Sequence, residues 1–118
     1  TANIVNCYNS GEIVADSKCA YIAGIIGYMS ANVNININMK NCYNTANINA
    51  SNSYQIGALI GNIYGCDNLQ LQDCYNTGNI SGKDNVGLVG YMTTKSSKFV
   101  GCYNTGTIVG SRSGGYQH

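Results

Sequence analysis

The feature that most constrains this chain is a short motif, Cys-Tyr-Asn, which occurs four times in 118 residues. An isoleucine follows each cysteine at the same distance, and the cysteines are 35, 32 and 28 residues apart. Glycine-bracketed apolar blocks recur between the motifs, at 22–29, 55–63 and 85–92. Self-similarity with a period of about 20–50 residues is typical of solenoids, propellers and other repeat arrays.

The repeats span almost the whole chain, so we predict a single repeat domain at 1–118. The units lie at about 4–38, 39–70 and 71–98, with a partial unit at 99–118. An array of this kind provides a surface and a length more readily than a catalytic pocket.

The local pattern indicates strands. Apolar residues and asparagines alternate strictly over 31–39, which is the period of a half-buried strand. Tyrosine, isoleucine, valine and threonine are abundant and proline is absent, which also favours strands. The Asn-Thr-Gly sequence after the tyrosine has turn chemistry, and we expect its glycine to supply a positive φ.

We therefore predict an all-β fold, a right- or left-handed β-solenoid of about three and a half coils with ~28–35 residues each. Each coil should hold roughly three short strands and rise by about 4.8 Å. The first strand is entered by an apolar residue three positions before each cysteine. A β-sandwich or a β-meander stays open as an alternative, because each unit could be a hairpin.

Stacked coils would place equivalent residues in columns, which we call ladders. In-register amide ladders stabilise such stacking. The predicted cysteine ladder is Cys7, Cys42, Cys74 and Cys102. The asparagine ladder is Asn9, Asn44, Asn76 and Asn104. The isoleucine ladder is Ile13, Ile48, Ile80 and Ile108. The tyrosine ladder, a candidate ligand surface, is Tyr8, Tyr43, Tyr75 and Tyr103.

The six cysteines do not form an obvious disulfide framework. Four share one repeat position, and side chains in register point the same way, which suits bridge geometry poorly. We expect them to behave as small buried hydrophobes. Cys19 and Cys66 lie outside the repeat and are the candidates for a disulfide.

Composition excludes several functional classes. Six basic residues face five acidic ones, and only 9% of the chain is charged, so there is no basic patch for nucleic acid. No apolar run reaches the roughly 20 residues of a membrane-spanning helix. Polarity comes largely from eighteen asparagines.

Catalytic and metal-binding constellations are also absent. The five acids share no repeat position, so a facing carboxylate pair cannot be argued. The single histidine, His118, is the last residue, which leaves no Ser-His or Cys-His pair. The glycine-rich stretch 110–115, which holds Arg112, fits a turn better than an anion site. We expect no enzymatic activity, no cofactor and no metal.

The combination of CYNTG with a downstream VGLVGY or AGIIGY resembles the GLUG-type repeats of bacterial surface proteins. The resemblance covers nearly the whole chain and implies a cell-surface or secreted location. Some relatives are IgA-specific metallopeptidases, but this chain has no HExxH, so that activity does not carry over. The second repeat departs from the pattern at Ala46 and Asn62.

We therefore expect a non-catalytic extracellular structural module, in a stalk, an adhesin or a fibre. The chain begins at its first repeat and stops within its fourth. Two explanations fit: an excerpt of a longer surface protein, or a subunit that associates end to end through open strand edges. The alternative is a module that binds a carbohydrate or host ligand through a solvent-facing ladder of tyrosine, asparagine and threonine.

Overall fold

The computed structural model describes residues 1–30 and 35–111, which form a β-solenoid of about three turns. The predicted all-β fold class is confirmed, because the described residues contain strands and no helix. Strand pairing between successive coils is parallel throughout the described part of the chain.

Twelve strands follow one another along the described chain. They are β1 (Ala2–Val5), β2 (Tyr8–Asn9), β3 (Ile13–Val14), β4 (Ala20–Ala23), β5 (Ile26–Ser30), β6 (Asn36–Lys40), β7 (Tyr43–Asn44), β8 (Ile48–Gln72), β9 (Tyr75–Asn76), β10 (Ile80–Val100), β11 (Tyr103–Asn104) and β12 (Ile108–Val109).

The strands are less even than the expected three short ones per coil. The first coil holds several short strands, whereas β8 and β10 run for 25 and 21 residues. These two strands continue around the bends of their coils because they stay paired with a neighbouring coil along most of their length. The middle of the stack thus has an almost continuous backbone ladder.

The sheets show how the coils stack. The larger sheet has the order β1-β6-β8-β10-β12, with β3, β4 and β5 also paired to β8. The smaller sheet consists of the four Tyr-Asn strands in the order β11-β9-β7-β2. Both orders follow the sequence of the coils, so each coil contacts only the coil before it and the coil after it.

The core fills the inside of the coils. Burial alternates along parts of the strands but is continuous over 56–63 in β8 and 86–90 in β10. The isoleucines, leucines and valines of the two middle coils are almost fully buried. The predicted apolar entry position forms one column: Ile4 pairs with Met39, Met39 with Leu71, and Leu71 with Phe99. Its middle members are buried and its end members only partly so.

The chain bends at the Asn-Thr-Gly position, as predicted, and also at positions that the sequence did not indicate. Two columns adopt the left-handed backbone conformation. One lies immediately before the cysteines, at Asn6, Asn41, Asp73 and Gly101, and the other contains Tyr21, Gln55 and Asn85. The glycine of Asn-Thr-Gly is not among the positive-φ residues, so the turn is present but the positive φ expected of its glycine was wrong. Asparagine, aspartate and glycine tolerate this conformation best, which explains the first column.

Gly78 allows the backbones of two neighbouring coils to approach each other closely. A Cβ at this position would collide with the carbonyl oxygen of Ala46 in the preceding coil. Glycine here lets the two coils come together at the corner, so its value is steric rather than conformational.

Three features of the sequence lie outside the described residues. The alternating segment 31–39 is described only from Ile35 onward. Arg112 and most of the glycine-rich stretch belong to residues 112–118, as does His118.

Candidate functional site

The four coils share one stretch of identical length, from the apolar entry residue to the isoleucine. We call these stretches the constant half of the coils, and the rest of each coil the variable half. The constant half comprises 4–13, 39–48, 71–80 and 99–108. Its pairings carry no register shift from one coil to the next. It contains all four predicted ladders, so it is the candidate functional site.

The asparagine ladder is a continuous line of side-chain hydrogen bonds. Asn9 Nδ2 donates to Asn44 Oδ1 at 2.9 Å, and Asn44 Nδ2 donates to Asn76 Oδ1 at 2.7 Å. Asn76 Nδ2 donates in turn to Asn104 Oδ1 at 2.7 Å. Asn9, Asn44 and Asn76 each donate a hydrogen bond to the following coil, so the ladder has a direction.

Each ladder asparagine also bonds its own corner. Asn44 Nδ2 donates to the carbonyl of Ala46, and Asn76 Nδ2 donates to that of Gly78, both at 2.8 Å. The amide of Gly78 donates back to Asn76 Oδ1 at 3.2 Å. The two middle asparagines are fully buried, and burying an amide is tolerated only when it is hydrogen-bonded in this way.

The tyrosine ladder stands on the outer face of the same corner. Neighbouring rings are parallel within 2–7°, and their centroids are 4.8–5.1 Å apart. Desolvation, followed by the charges of Tyr43 and Tyr103, raises the pKa of Tyr75. Ring stacks of this kind cover their own faces. Only the terminal rings, Tyr8 and Tyr103, have one face without a ladder neighbour.

The cysteine ladder lies inside the corner as free thiols. Cys42 and Cys74 are buried, Cys102 is partly buried and Cys7 is exposed. Cys42 Sγ donates to the carbonyl of Ile4 at 3.5 Å, and Cys74 Sγ repeats this contact with Met39 at 3.7 Å. Burial raises the pKa of the Cys74 thiol to about 12 and also raises the pKa of Cys42. These thiols are therefore neutral packing groups.

The isoleucine ladder closes the constant half. Ile13 pairs with Ile48, Ile48 with Ile80, and Ile80 with Ile108. The two middle side chains are buried in the core. Because the column is unbroken, the constant half is pinned to the core at both of its ends.

The proposed bridge between Cys19 and Cys66 is not formed. Both thiols are free, and the two residues occupy different positions around the coil, because Cys66 pairs with Thr94 whereas Cys19 precedes Ala20, which pairs with Tyr54. Cys19 is exposed, and its backbone amide donates to Ser53 Oγ at 3.0 Å. Cys66 is buried, and its Sγ donates to the carbonyl of Asn68 at 3.0 Å. Burial also raises the pKa of the Cys66 thiol. Position outside the repeat was therefore not a guide to pairing.

The variable half is less regular. Between β8 and β10 the register shifts three times, at Gly82/Asp84, Gly87/Val89 and Thr93/Thr94. Asn62 pairs with Tyr28 and Tyr91 in the neighbouring coils, so it stands where the pattern has tyrosine. Its side chain is only 5% exposed, and its Oδ1 is buried without a hydrogen-bond partner.

Within the described residues there is no cluster of three or more His, Cys, Asp or Glu side chains suited to a metal. A shallow groove of about 410 Å³ lies on the outer surface, and Glu12 is the one acid in its lining. The one ion pair seen in the described chain joins Lys95 Nζ to Asp67 at 3.2 Å, and the lysine is almost fully exposed.

No helix in the described parts of the chain has the length and apolar character needed to cross a membrane. Comparisons with protein-family models, with curated proteins and with solved structures found no match. The resemblance to GLUG-type repeats therefore stays a prediction.

Proposed function

We propose that this chain is a non-catalytic structural repeat module of the cell exterior. It would serve as a segment of a stalk or adhesin, or as a subunit of a fibre built by end-to-end association. The observation that carries this proposal is the unbroken constant half, in which each coil makes the same contacts with the next. The extracellular location rests on the resemblance of the repeats alone.

The contacts of the constant half suit an extended stack of coils. Backbone ladders, amide ladders and stacked rings all run along the stacking direction. Length can therefore be added one coil at a time, as in other solenoids whose stability is a sum over neighbouring repeats. Only 9% of the chain is charged, and the one ion pair in the described residues joins Asp67 to the largely exposed Lys95.

The alternative, a carbohydrate- or host-ligand-binding module, is not favoured by the ring geometry. Sugars stack on the open face of an aromatic ring, but the rings of the tyrosine ladder cover each other. Tyr43 and Tyr75 offer a ligand only their edges and hydroxyls. A glycan array distinguishes the structural module from the ligand-binding module. The ligand-binding module requires that the chain bind a glycan and that Tyr43→Ala remove this binding.

Light scattering and negative-stain electron microscopy across micromolar concentrations test the fibre form of the proposal. We expect particles that lengthen with concentration while keeping one coil cross-section, about 36 × 24 Å. A chain that stays monomeric at every concentration would contradict end-to-end association. It would leave the stalk or adhesin segment as the form to test.

A further inference from the structure

We propose that two copies of this chain join head to tail through the constant half alone. The fourth-coil stretch 99–108 of one copy would stack on the first-coil stretch 4–13 of the next copy. This inference rests on the proposed function and adds to it the surface, the partner, the direction and the register of the joint.

The backbone hydrogen bonds repeat from coil to coil, which makes the two ends complementary. At the ends of the strands in the Tyr-Asn sheet, the later coil donates to the earlier one: Tyr75 N donates to Cys42 O, and Tyr103 N donates to Cys74 O. Carried one coil further, this rule pairs the amide of Tyr8 with the carbonyl of Cys102 in another copy. It likewise pairs the amide of Ser10 with the carbonyl of Asn104.

On both sides of that sheet the direction reverses. Asp73 N donates forward to Val100 O, and Ile80 N donates forward to Thr107 O. The same rule pairs the amide of Gly101 with the carbonyl of Val5 in the next copy. It also pairs the amide of Ile108 with the carbonyl of Glu12, which follows from Ile13 N donating to Asn47 O.

Side chains at the two ends match in the same register. Asn104 stands at the donor end of the asparagine ladder, and Asn9 Oδ1 stands at the acceptor end. Tyr8 and Tyr103 are 61% and 49% exposed, and each has a ring face that a further ring could cover. One stacking step thus extends the backbone, amide and ring ladders together.

A second copy in this orientation is the occupant that the pattern favours. Two first coils placed against each other would run antiparallel, unlike the parallel pairing between the described coils, and would oppose the acceptor ends of the asparagine ladder. Two fourth coils would oppose the donor ends of that ladder. The head-to-tail arrangement keeps the pairing parallel and places the donor end of the ladder opposite its acceptor end, and a contact of this heterologous kind propagates.

Thiol labelling tests the register. In a Cys19→Ser chain the accessible thiols are Cys7 and the partly buried Cys102, which lie at opposite ends of the cysteine ladder. The joint would bury both of them in the way that Cys42 and Cys74 are buried. A maleimide should therefore label both thiols in the free chain and neither in the assembled chain. Mass spectrometry after labelling at low and at high concentration identifies the labelled cysteines.

We expect the labelling of Cys7 and Cys102 to fall together as the chain assembles. Protection of one of these two thiols alone would overturn the proposed direction. Assembly that leaves both thiols as reactive as in the free chain would overturn the register but leave the proposed function standing. If scattering shows no assembly, the joint and the fibre form are both contradicted. Adding Cys7→Ser to the Cys19→Ser chain is the matched control, in which Cys102 should still become protected on assembly.

A charge exchange at the tyrosine ends gives a second, independent readout. The double variant Tyr8→Asp with Tyr103→Asp places two carboxylates one step apart at the joint, and like charges repel. We expect association to weaken at least tenfold, and to recover when Tyr103→Lys replaces Tyr103→Asp. Equal association of the two double variants would contradict this register.

Discussion

The constant and variable halves of the coils differ in how regularly one coil stacks on the next. In the constant half every coil has the same length, and the ladder asparagines are bonded to one another from coil to coil. In the variable half the coil lengths differ, the register shifts and one buried amide oxygen lacks a partner. We infer that the constant half fixes the register between coils, while the variable half accommodates differences in coil length.

The largest expected effect comes from breaking the equal length of the constant half. A single glycine inserted after Thr77 reverses the facing of the residues that follow, because side chains alternate along a strand. We expect a loss of at least about 4 kcal/mol in the free energy of unfolding. Urea unfolding followed by circular dichroism measures it.

The matched control is a glycine inserted after Ser51 in the variable half. Here the structure already accommodates a length difference, since Gly82/Asp84 face Ala50/Tyr54 across a register shift. We expect a cost below about 1 kcal/mol, as for other lengthened surface segments. Equal costs at the two sites would show that the halves do not differ.

Two buried asparagines give the next contrast. Asn76→Leu removes the hydrogen bonds to Gly78 and Asn104 and the one accepted from Asn44. Several buried groups lose their partners at once, so we expect a loss of about 3 kcal/mol or more, given roughly 1–3 kcal/mol for one such group.

Asn62→Leu should have the opposite sign. Its Oδ1 is already unpartnered, and only the bond from its Nδ2 to Gln55, at 2.6 Å, is lost. We expect an unchanged or slightly higher stability, by up to about 1 kcal/mol. Both variants are compared with the natural chain in thermal and urea unfolding. A large loss at Asn62 would contradict our account of the variable half.

Gly78 and Gly11 occupy the same repeat position, and comparing their alanine variants distinguishes a steric role of glycine from a role in backbone flexibility. Gly78→Ala drives a methyl group into the backbone of Ala46, so we expect a loss of about 1–3 kcal/mol. At Gly11 the nearest atom to a new Cβ is Asn9 Oδ1 at 3.8 Å, an ordinary contact. Gly11→Ala should therefore be neutral or gain about 0.4–1 kcal/mol by restricting the unfolded chain. A similar loss at both positions would count against the steric explanation.

The smallest effect that we predict is on the pH dependence of stability. The pKa of the Cys74 thiol is raised from 9.0 to about 12, so the unfolded chain loses this proton more readily than the folded chain. Stability from this group is complete below pH 9 and declines as the pH rises from about 9 towards 12. The urea midpoint should therefore fall above pH 9. It should fall less steeply in Cys74→Ala, and an equally steep fall in that variant would contradict this assignment.

The sequence predicts the constant half well, because equal spacing leaves little freedom in the register. The pairing of Ile4, Met39, Leu71 and Phe99 follows directly from their fixed distance to the cysteines. The bends were harder to predict. Tyr21 and Gln55 adopt a left-handed conformation that neither residue type favours locally. Stacking with the neighbouring coils imposes that conformation, so no local pattern could have indicated it.

The functional surface was only partly predictable. The repeat spacing predicted the tyrosine column. It did not predict that neighbouring rings stack face to face, because ring orientation cannot be inferred from residue spacing. The direction of the asparagine ladder likewise depends on which amide atom faces the next coil. These two features support stacking rather than ligand binding as the role that we propose for the column.

The central claim is that the constant half carries the stacking from one copy to the next. Amide hydrogen exchange at low and high protein concentration tests it most directly. We predict that the amides of Tyr8, Ser10, Gly101 and Ile108 become protected as concentration rises, while exposed amides of the variable half, such as that of Asn52, do not. Unchanged exchange at these four amides, or protection confined to the variable half, would contradict the claim.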